Sequence, residues 1–373
     1  VYKRQPPTLT QQAIFDTGTA VGELARKRFV GGTLVAHDHF HSDEALAQTA
    51  ELPGDLSVPS IFEAAFLHKN VLVRVDILER TPTGWNLVEV KSGTKFKGDV
   101  HDIDVAIQLW VLRGGGLTVD NADLLTLNRE YVYDGIALDL EQLFILHECT
   151  EIAESLQLEV ESNIESFMAM LNAGKPPVVP PGEQCFTPYG CPYYAHCTRD
   201  LVFPEHPVTD LPRINTASLE QLYADRVVEI PQVPDDFTLT PLQARVREAV
   251  ITGSEYLSER LGNALQDVTY PIYYLDFETF MPAIPRYAGT RPYEAIPFQY
   301  SLHVEQADGA IEHIEYLHET DTDPREPLTV ALISALGESG TICVYSGYEK
   351  RVIGALARTF PQYADQLHAI LDR

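Results

Sequence analysis

The run VLVRVDILER, the tetrapeptide TPTG and the run WNLVEVKS, residues 71–92, constrain the fold more than any other stretch. Two segments rich in β-branched and apolar residues flank a Pro- and Gly-bearing turn, the pattern of an antiparallel hairpin. A turn at 81–84 sets Arg80 opposite Trp85, Leu78 opposite Leu87, Asp76 opposite Glu89 and Arg74 opposite Lys91. Glu89 and Lys91, two apart, leave the same strand face. Carboxylates that face each other across a hairpin destabilise it unless something neutralises them. The following segment, HDIDVAIQLWVL, reads as a helix with Ile103, Ala106, Ile107, Trp110 and Val111 on its apolar side. His101, Asp104 and Gln108 form a polar stripe beside that side.

The rest of the chain continues the alternation, so the expected class is α/β. QQAIFDTGTAVGELARKRF reads as a helix with Val21, Leu24 and Ala25 on one face, and Gly18 and Gly22 allow close packing there. DLLTLN reads as a strand, and a long helix is expected over about 141–173, broken by KPPVVPPGEQ. Residues 201–235 read as irregular and Pro-rich, and TPLQARVREAVITGSEYLSERLGNAL as helical. PIYYLDFETF and PFQYSLHVEQ open a second α/β unit. The expected domains are 1–200, ending in a cysteine loop at 185–197; a linker with a helix at 201–268; and 269–373.

Charge bears on the partner. The net charge is −27, against a nucleic-acid ligand at first sight. Yet residues 1–115 carry only −2, the remainder −25, and Lys91, Lys95 and Lys97 form a basic stretch. No apolar run is long enough for a membrane helix and no signal peptide is visible, so the expected location is cytoplasmic. The start at Val1 and the stop at Arg373 suggest a piece truncated at both ends.

Asp76 and Glu89 would suit a hard divalent cation, Mg2+ or Mn2+, with Glu63 in IFEAAF as a further ligand. Lys91 beside them could hold a phosphate or stabilise an attacking hydroxide. A structural ion-pair cluster or a solvated strand face is the competing reading. Asp, a gap of about a dozen residues, Glu-x-Lys and a Gln-bearing helix together resemble the PD-(D/E)xK nuclease core, in its RecB-like branch. The resemblance makes Asp76, Glu89, Lys91 and Gln108 catalytic and implies a restriction-endonuclease-like fold. Leu112 stands where the branch's Q-x-x-x-Y pattern has Tyr.

Cys185, Cys191 and Cys197 form a C-x5-C-x5-C run, which is not a zinc-finger spacing. The trio resembles the C-terminal half of the iron–sulfur staple of RecB-like nucleases. It implies a 4Fe–4S cluster whose fourth cysteine lies ahead of the core, outside this chain. Cys149 or His196 as fourth ligand, and zinc in place of the cluster, stay open. Cys149 and Cys343 read as core cysteines, and His37, His39 and His41 as exposed loop residues.

In YYLDFETF, Asp276 and Glu278 share a strand face, and CVYSGYEKRVI carries Glu349 behind tyrosines. This resembles the first two motifs of DEDD exonucleases, whose fold is RNase H-like and whose carboxylates hold two metal ions. Asp276, Glu278 and Glu349 are then metal ligands, and a third motif is expected beyond Arg373. A strand-end polar pair is the competing reading. Together the motifs resemble a bacterial family that couples a RecB-like core and cysteine loop to a C-terminal domain of unknown function. The implied activity is metal-dependent, exonucleolytic cleavage of DNA, single-stranded or at duplex ends, in repair, recombination or defence, beside a helicase or similar partner. Two alternatives are an inactive nucleic-acid-binding module and an RNA exonuclease acting through the C-terminal domain.

Overall fold

The computed structural model describes residues 8–37, 40–201 and 203–373; His39 lies outside the described residues. The protein is mixed α/β with two sheets. It divides into two compact units, Val1–Val178 with Tyr273–Arg373, and Val179–Ile272.

The first unit opens with α1 (Leu9–Arg26), whose Thr8 and Gln11 cap each other's backbone N–H groups. Next come β1 (Thr33–Leu34), α2 (Ser42–Glu51), β2 (Ser60–His68), β3 (Val71–Arg80) and β4 (Trp85–Lys91). Then follow α3 (Gly98–Gly114), β5 (Val119–Leu127), α4 (Leu140–Leu143), β6 (Phe144–Glu148), α5 (Thr150–Ser155) and α6 (Gln157–Asn172). The strands lie in sequence order. β4 and β5 are parallel, with α3 as their crossover, while β2, β3 and β4 run antiparallel. One face of the sheet buries Leu78, Leu87 and Leu124 against Val105, Leu109 and Leu112 of α3. The other buries Ile77, Val88, Leu125 and Leu127 against Val21 and Ala25 of α1.

Three expectations are corrected here. The helix over 141–173 is interrupted: 144–148 pair with β5 from Leu127↔Phe144 to Asp123↔Glu148, because an open strand edge outweighs local helical spacing. The buried face of α3 is broader than predicted and leaves Ile103 exposed, since α5 and α6 cover the helix from the side away from the sheet. A Cβ at Gly18 or Gly22 would meet nothing within 4 Å, so these glycines mark no close packing.

The second unit holds α7 (Tyr194–Thr198), α8 (Thr216–Ala224), α9 (Pro241–Thr252) and α10 (Leu261–Gln266). Thr240 and Gln243 form a capping box at the start of α9, and Gly253, at φ 64°, ends it. Val208, Leu211, Leu222, Val227, Ile230 and Val233 make a small cluster of their own. The stretch read as a linker is therefore a packed unit, and the cysteine loop groups with it. Val208, Leu211, Ile230 and Val233 each adjoin a proline, so no helical or strand period reveals them.

The second sheet belongs to the first unit. Its elements are β7 (Ile272–Phe280), β8 (Ile296–Glu305), β9 (Ile311–Leu317), α11 (Arg325–Leu336), β10 (Thr341–Cys343), α12 (Tyr348–Thr359) and α13 (Ala364–Leu371). The strand order is β10-β7-β8-β9. Leu275, Phe277, Tyr300 and Leu302 pack beneath Leu328, Leu332, Val352 and Leu367. The segment after β7 ties this sheet to the first one. Ala283 is buried among Phe62, Ile77 and Val88. Tyr133 N–H donates to Thr290 O (3.0 Å), and Gly289 N–H to Tyr133 O (2.7 Å).

Candidate functional site

The β3–β4 ladder has the predicted register, Arg80↔Trp85 and Leu78↔Leu87, and runs on to Ile77↔Val88. There it stops, so Asp76 and Glu89 do not form a ladder pair, nor do Arg74 and Lys91. The cause is the Asp76 side chain: its Oδ2 accepts the Val90 N–H at 2.7 Å, where a backbone carbonyl would otherwise serve. The β2–β3 ladder is irregular at the same level. It passes from Phe62↔Ile77 to Ala64↔Val75, skipping Glu63 and Asp76. Glu63 has φ 56°, a left-handed conformation that costs a non-glycine residue about 1–2 kcal/mol.

Glu89 and Lys91 face α3. Lys91 Nζ donates to Glu89 Oε1 at 2.7 Å and also to Asp104 Oδ2. Gln108 Nε2 donates to Glu89 Oε2 at 2.6 Å, while the buried Gln108 Oε1 has no partner. Two of the three stripe residues therefore meet the strand. The third, His101, accepts the Lys97 N–H at its Nδ1 (3.1 Å). Burial lowers its pKa, and the Lys91 charge lowers it further.

Asp76 keeps a partly exposed edge. Even so, burial pushes its carboxyl well above the usual carboxylate range, and the charges of Glu89 and Glu63 push the same way. The Val90 N–H and Lys91 work in the opposite direction. For Lys91, burial favours the neutral amine, but the carboxylates of Glu89 and Asp104 more than offset it and raise the pKa. The ammonium is thus held charged.

Glu63 is tied to arginines: Arg26 bonds its Oε1, and Arg74 Nη2 stands 3.5 Å from its Oε2. Arg74 also reaches the carbonyl of His37. Nothing in the hairpin pattern pointed to Arg26, because α1 is distant in sequence. Tyr293, from the segment after β7, was missed for the same reason; its hydroxyl donates to Ser92 O at 2.9 Å, one residue past Lys91. Asp104 was legible as part of the stripe, although its bond to Lys91 was not.

Among the described residues no group of three or more His, Cys, Asp or Glu side chains is arranged to hold a metal ion. A hard cation here would take its protein ligands from Asp76 and Glu89. Two carboxylates suffice for a site completed by water and phosphate oxygens. The charge of Glu89 is balanced by Lys91, whereas among the described residues the one hydrogen bond to Asp76 comes from a neutral backbone N–H. Elsewhere, Asp276 and Glu278 lie exposed on the open face of β7. Glu349, on α12, is buried with its Oε2 unpartnered, and the neighbouring Tyr348 hydroxyl bonds Thr279 Oγ1 at 2.5 Å. Cys185 is buried, Cys191 half-buried and Cys197 exposed, and among the described residues the three do not form a metal-holding group. Cys149 is a core residue, as read, and burial raises its thiol to about 11.

A family model described as Domain of unknown function (DUF2779) matches residues 273–373, the span of the second sheet and its helices. No curated protein and no solved structure matches the chain. No helix among the described residues is long and apolar enough to cross a membrane.

Proposed function

We propose that this chain is a metal-dependent nuclease whose centre is Asp76, Glu89, Lys91 and Gln108. One observation carries the reading: a charged lysine held between Glu89 and Asp104 stands beside a buried carboxylate, Asp76, whose pKa burial and the neighbouring Glu89 and Glu63 push up more than Lys91 and the Val90 N–H pull it down. Such a pair of unlike charges side by side suits a phosphate on one hand and a cation on the other. Asp76 and Glu89 would hold Mg2+ or Mn2+, with Glu63 nearby once released from Arg26 and Arg74. When bound, the metal would polarise a phosphodiester and lower the pKa of water. Lys91 would place its Nζ protons on the attacking oxygen or a phosphate oxygen, and Asp104 would aim that ammonium. Gln108 would fix the rotamer of Glu89.

The PD-(D/E)xK core and RNase H-like resemblances support DNA as substrate and attack from an end, within a cytoplasmic repair, recombination or defence process and beside a helicase-type partner. Asp276, Glu278 and Glu349 would form a second, two-metal exonuclease site. For the Cys185, Cys191 and Cys197 trio, the resemblance to the staple of RecB-like nucleases supports a 4Fe–4S cluster, which iron and acid-labile sulfide analysis of anaerobically purified protein would test; stoichiometric zinc without iron would replace it. The function itself is tested by incubating end-labelled single-stranded DNA and RNA of one sequence with Mn2+, Mg2+ or EDTA. Metal-dependent loss of end label from DNA is expected. Cleavage of RNA alone would move the activity to the second sheet, and no cleavage of either would favour a binding module.

A further inference from the structure

A cleft of about 300 Å³ lies in the first unit, lined by Arg129, Arg291, Arg358, Tyr293 and the carboxylates of Glu130 and Glu294. Its arginines come from three places: just after β5, the segment after β7, and α12. Arg291 pairs with Glu130 at 2.8 Å, and the Glu294 carboxylate is occupied by the Arg291 N–H at 3.0 Å. Arg129 and Arg358 are exposed and make no ion pair among the described residues. In a chain of net charge −27, a cleft lined by three arginines and two glutamates carries a local excess of positive charge. The guanidinium fork matches phosphate oxygens, and is less strongly hydrated than an ammonium.

Tyr293 gives the cleft its direction. It has φ 59°, a conformation that a tyrosine keeps only where its surroundings impose it. Its N–H is held by Pro282 O at 2.8 Å, and its hydroxyl reaches Ser92 O at 2.9 Å. Tyr293 thus lines the cleft, 37% exposed, while its hydroxyl is anchored one residue past Lys91. A phosphate held by the arginines would bring an adjoining base within reach of an aromatic ring, the combination that binds single strands without sequence preference.

We propose that this cleft binds a phosphate group, and that the phosphate belongs to the backbone of single-stranded nucleic acid on its way to Lys91. The inference deepens the nuclease reading and rests on it for direction, while the binding itself does not require cleavage. The test is fluorescence anisotropy with a labelled deoxythymidine oligomer about 12 nucleotides long, in EDTA, across a salt series. Wild type is compared with Arg129→Ala/Arg358→Ala and with Arg129→Lys/Arg358→Lys, after circular dichroism has shown all three folded. The alanine pair should bind about 10-fold more weakly or worse, and its log–log salt slope should flatten by about 1.4, near 0.7 for each lost contact. The lysine pair should keep the wild-type slope. Equal affinity and slope in wild type and the alanine pair would overturn the proposal. A calorimetric titration with inorganic phosphate separates the sources: phosphate binding without oligomer binding would overturn the nucleic-acid assignment. A chain that binds through these arginines yet cuts nothing would leave the cleft and remove the nuclease reading. Manganese-dependent cutting with unchanged binding in the alanine pair would remove the cleft alone.

Discussion

Asp76 concentrates the tension of the site in one side chain. Its carboxyl is pushed up by burial and by Glu89, and its one hydrogen bond among the described residues is from the Val90 N–H. Asp76→Asn retains an acceptor for that N–H and deletes the buried charge. The variant should be more stable than wild type by about 1–3 kcal/mol without metal. Wild type should gain melting temperature on adding Mn2+, since a ligand that binds the folded state stabilises it, whereas the variant should gain none. A differential scanning measurement with and without Mn2+ reads both effects; equal gains would remove Asp76 from the centre. Gln108 makes the opposite case. Its Nε2 holds Glu89 and its buried Oε1 has no partner among the described residues, so Gln108→Leu removes an orphan but leaves Glu89 Oε2 without that donor. Stability should stay within about 1 kcal/mol, while cleavage falls because Glu89 is no longer fixed. An undiminished rate would make Gln108 a packing residue.

At the scale of elements, the β5–β6 edge sets a pH dependence. Asp123 pairs in register with Glu148, and burial first, then the Glu148 charge, push its carboxyl up to about 6 against the Cys149 N–H. Below about pH 4 the group is protonated in folded and unfolded chains alike. As pH rises through the folded value, the folded chain surrenders a proton that it holds more tightly than the unfolded chain does, and stability falls. The loss, on the order of 2–3 kcal/mol, is complete a little above pH 6. Asp123→Asn should therefore raise the urea midpoint at pH 7.5 and leave it unchanged at pH 4; a gain of equal size at both values would refute this origin. The same edge shows what the sequence could carry. The turn residues at 81–84 fix the loop length, so the β3–β4 register was legible down to Leu78↔Leu87. The parting of the strands at Asp76 was not, because it depends on a side chain taking a backbone acceptor's place. The strand β6 was hidden inside a helix-like period and exists because β5 offers an open edge. Glu89, Lys91 and Gln108 were legible as periodic positions; Arg26, Arg74 and Tyr293 reach the site from far along the chain, where no local spacing records them.

At the scale of the molecule, the two sheets share one compact unit through the segment after β7. Both tryptophans, Trp85 and Trp110, sit in the first sheet's main core, so fluorescence reports that part alone. Ala283→Asp would bury an unpaired carboxylate against Phe62, Ile77 and Val88. The tryptophan unfolding midpoint should then drop by several kcal/mol's worth of denaturant, about 2–4 kcal/mol, although the substitution lies nearly 200 residues from Trp85. An unmoved midpoint would mean that the two sheets unfold independently. The shared unit also sharpens the question of which sheet carries chemistry. The most direct measurement is the manganese-dependent rate of end-label release from single-stranded DNA by wild type, Lys91→Ala and Asp276→Ala. Loss of at least 100-fold in Lys91→Ala, with the rate retained in Asp276→Ala, is the predicted result. A wild-type rate in Lys91→Ala would contradict the assignment of the β4 strand as the catalytic one.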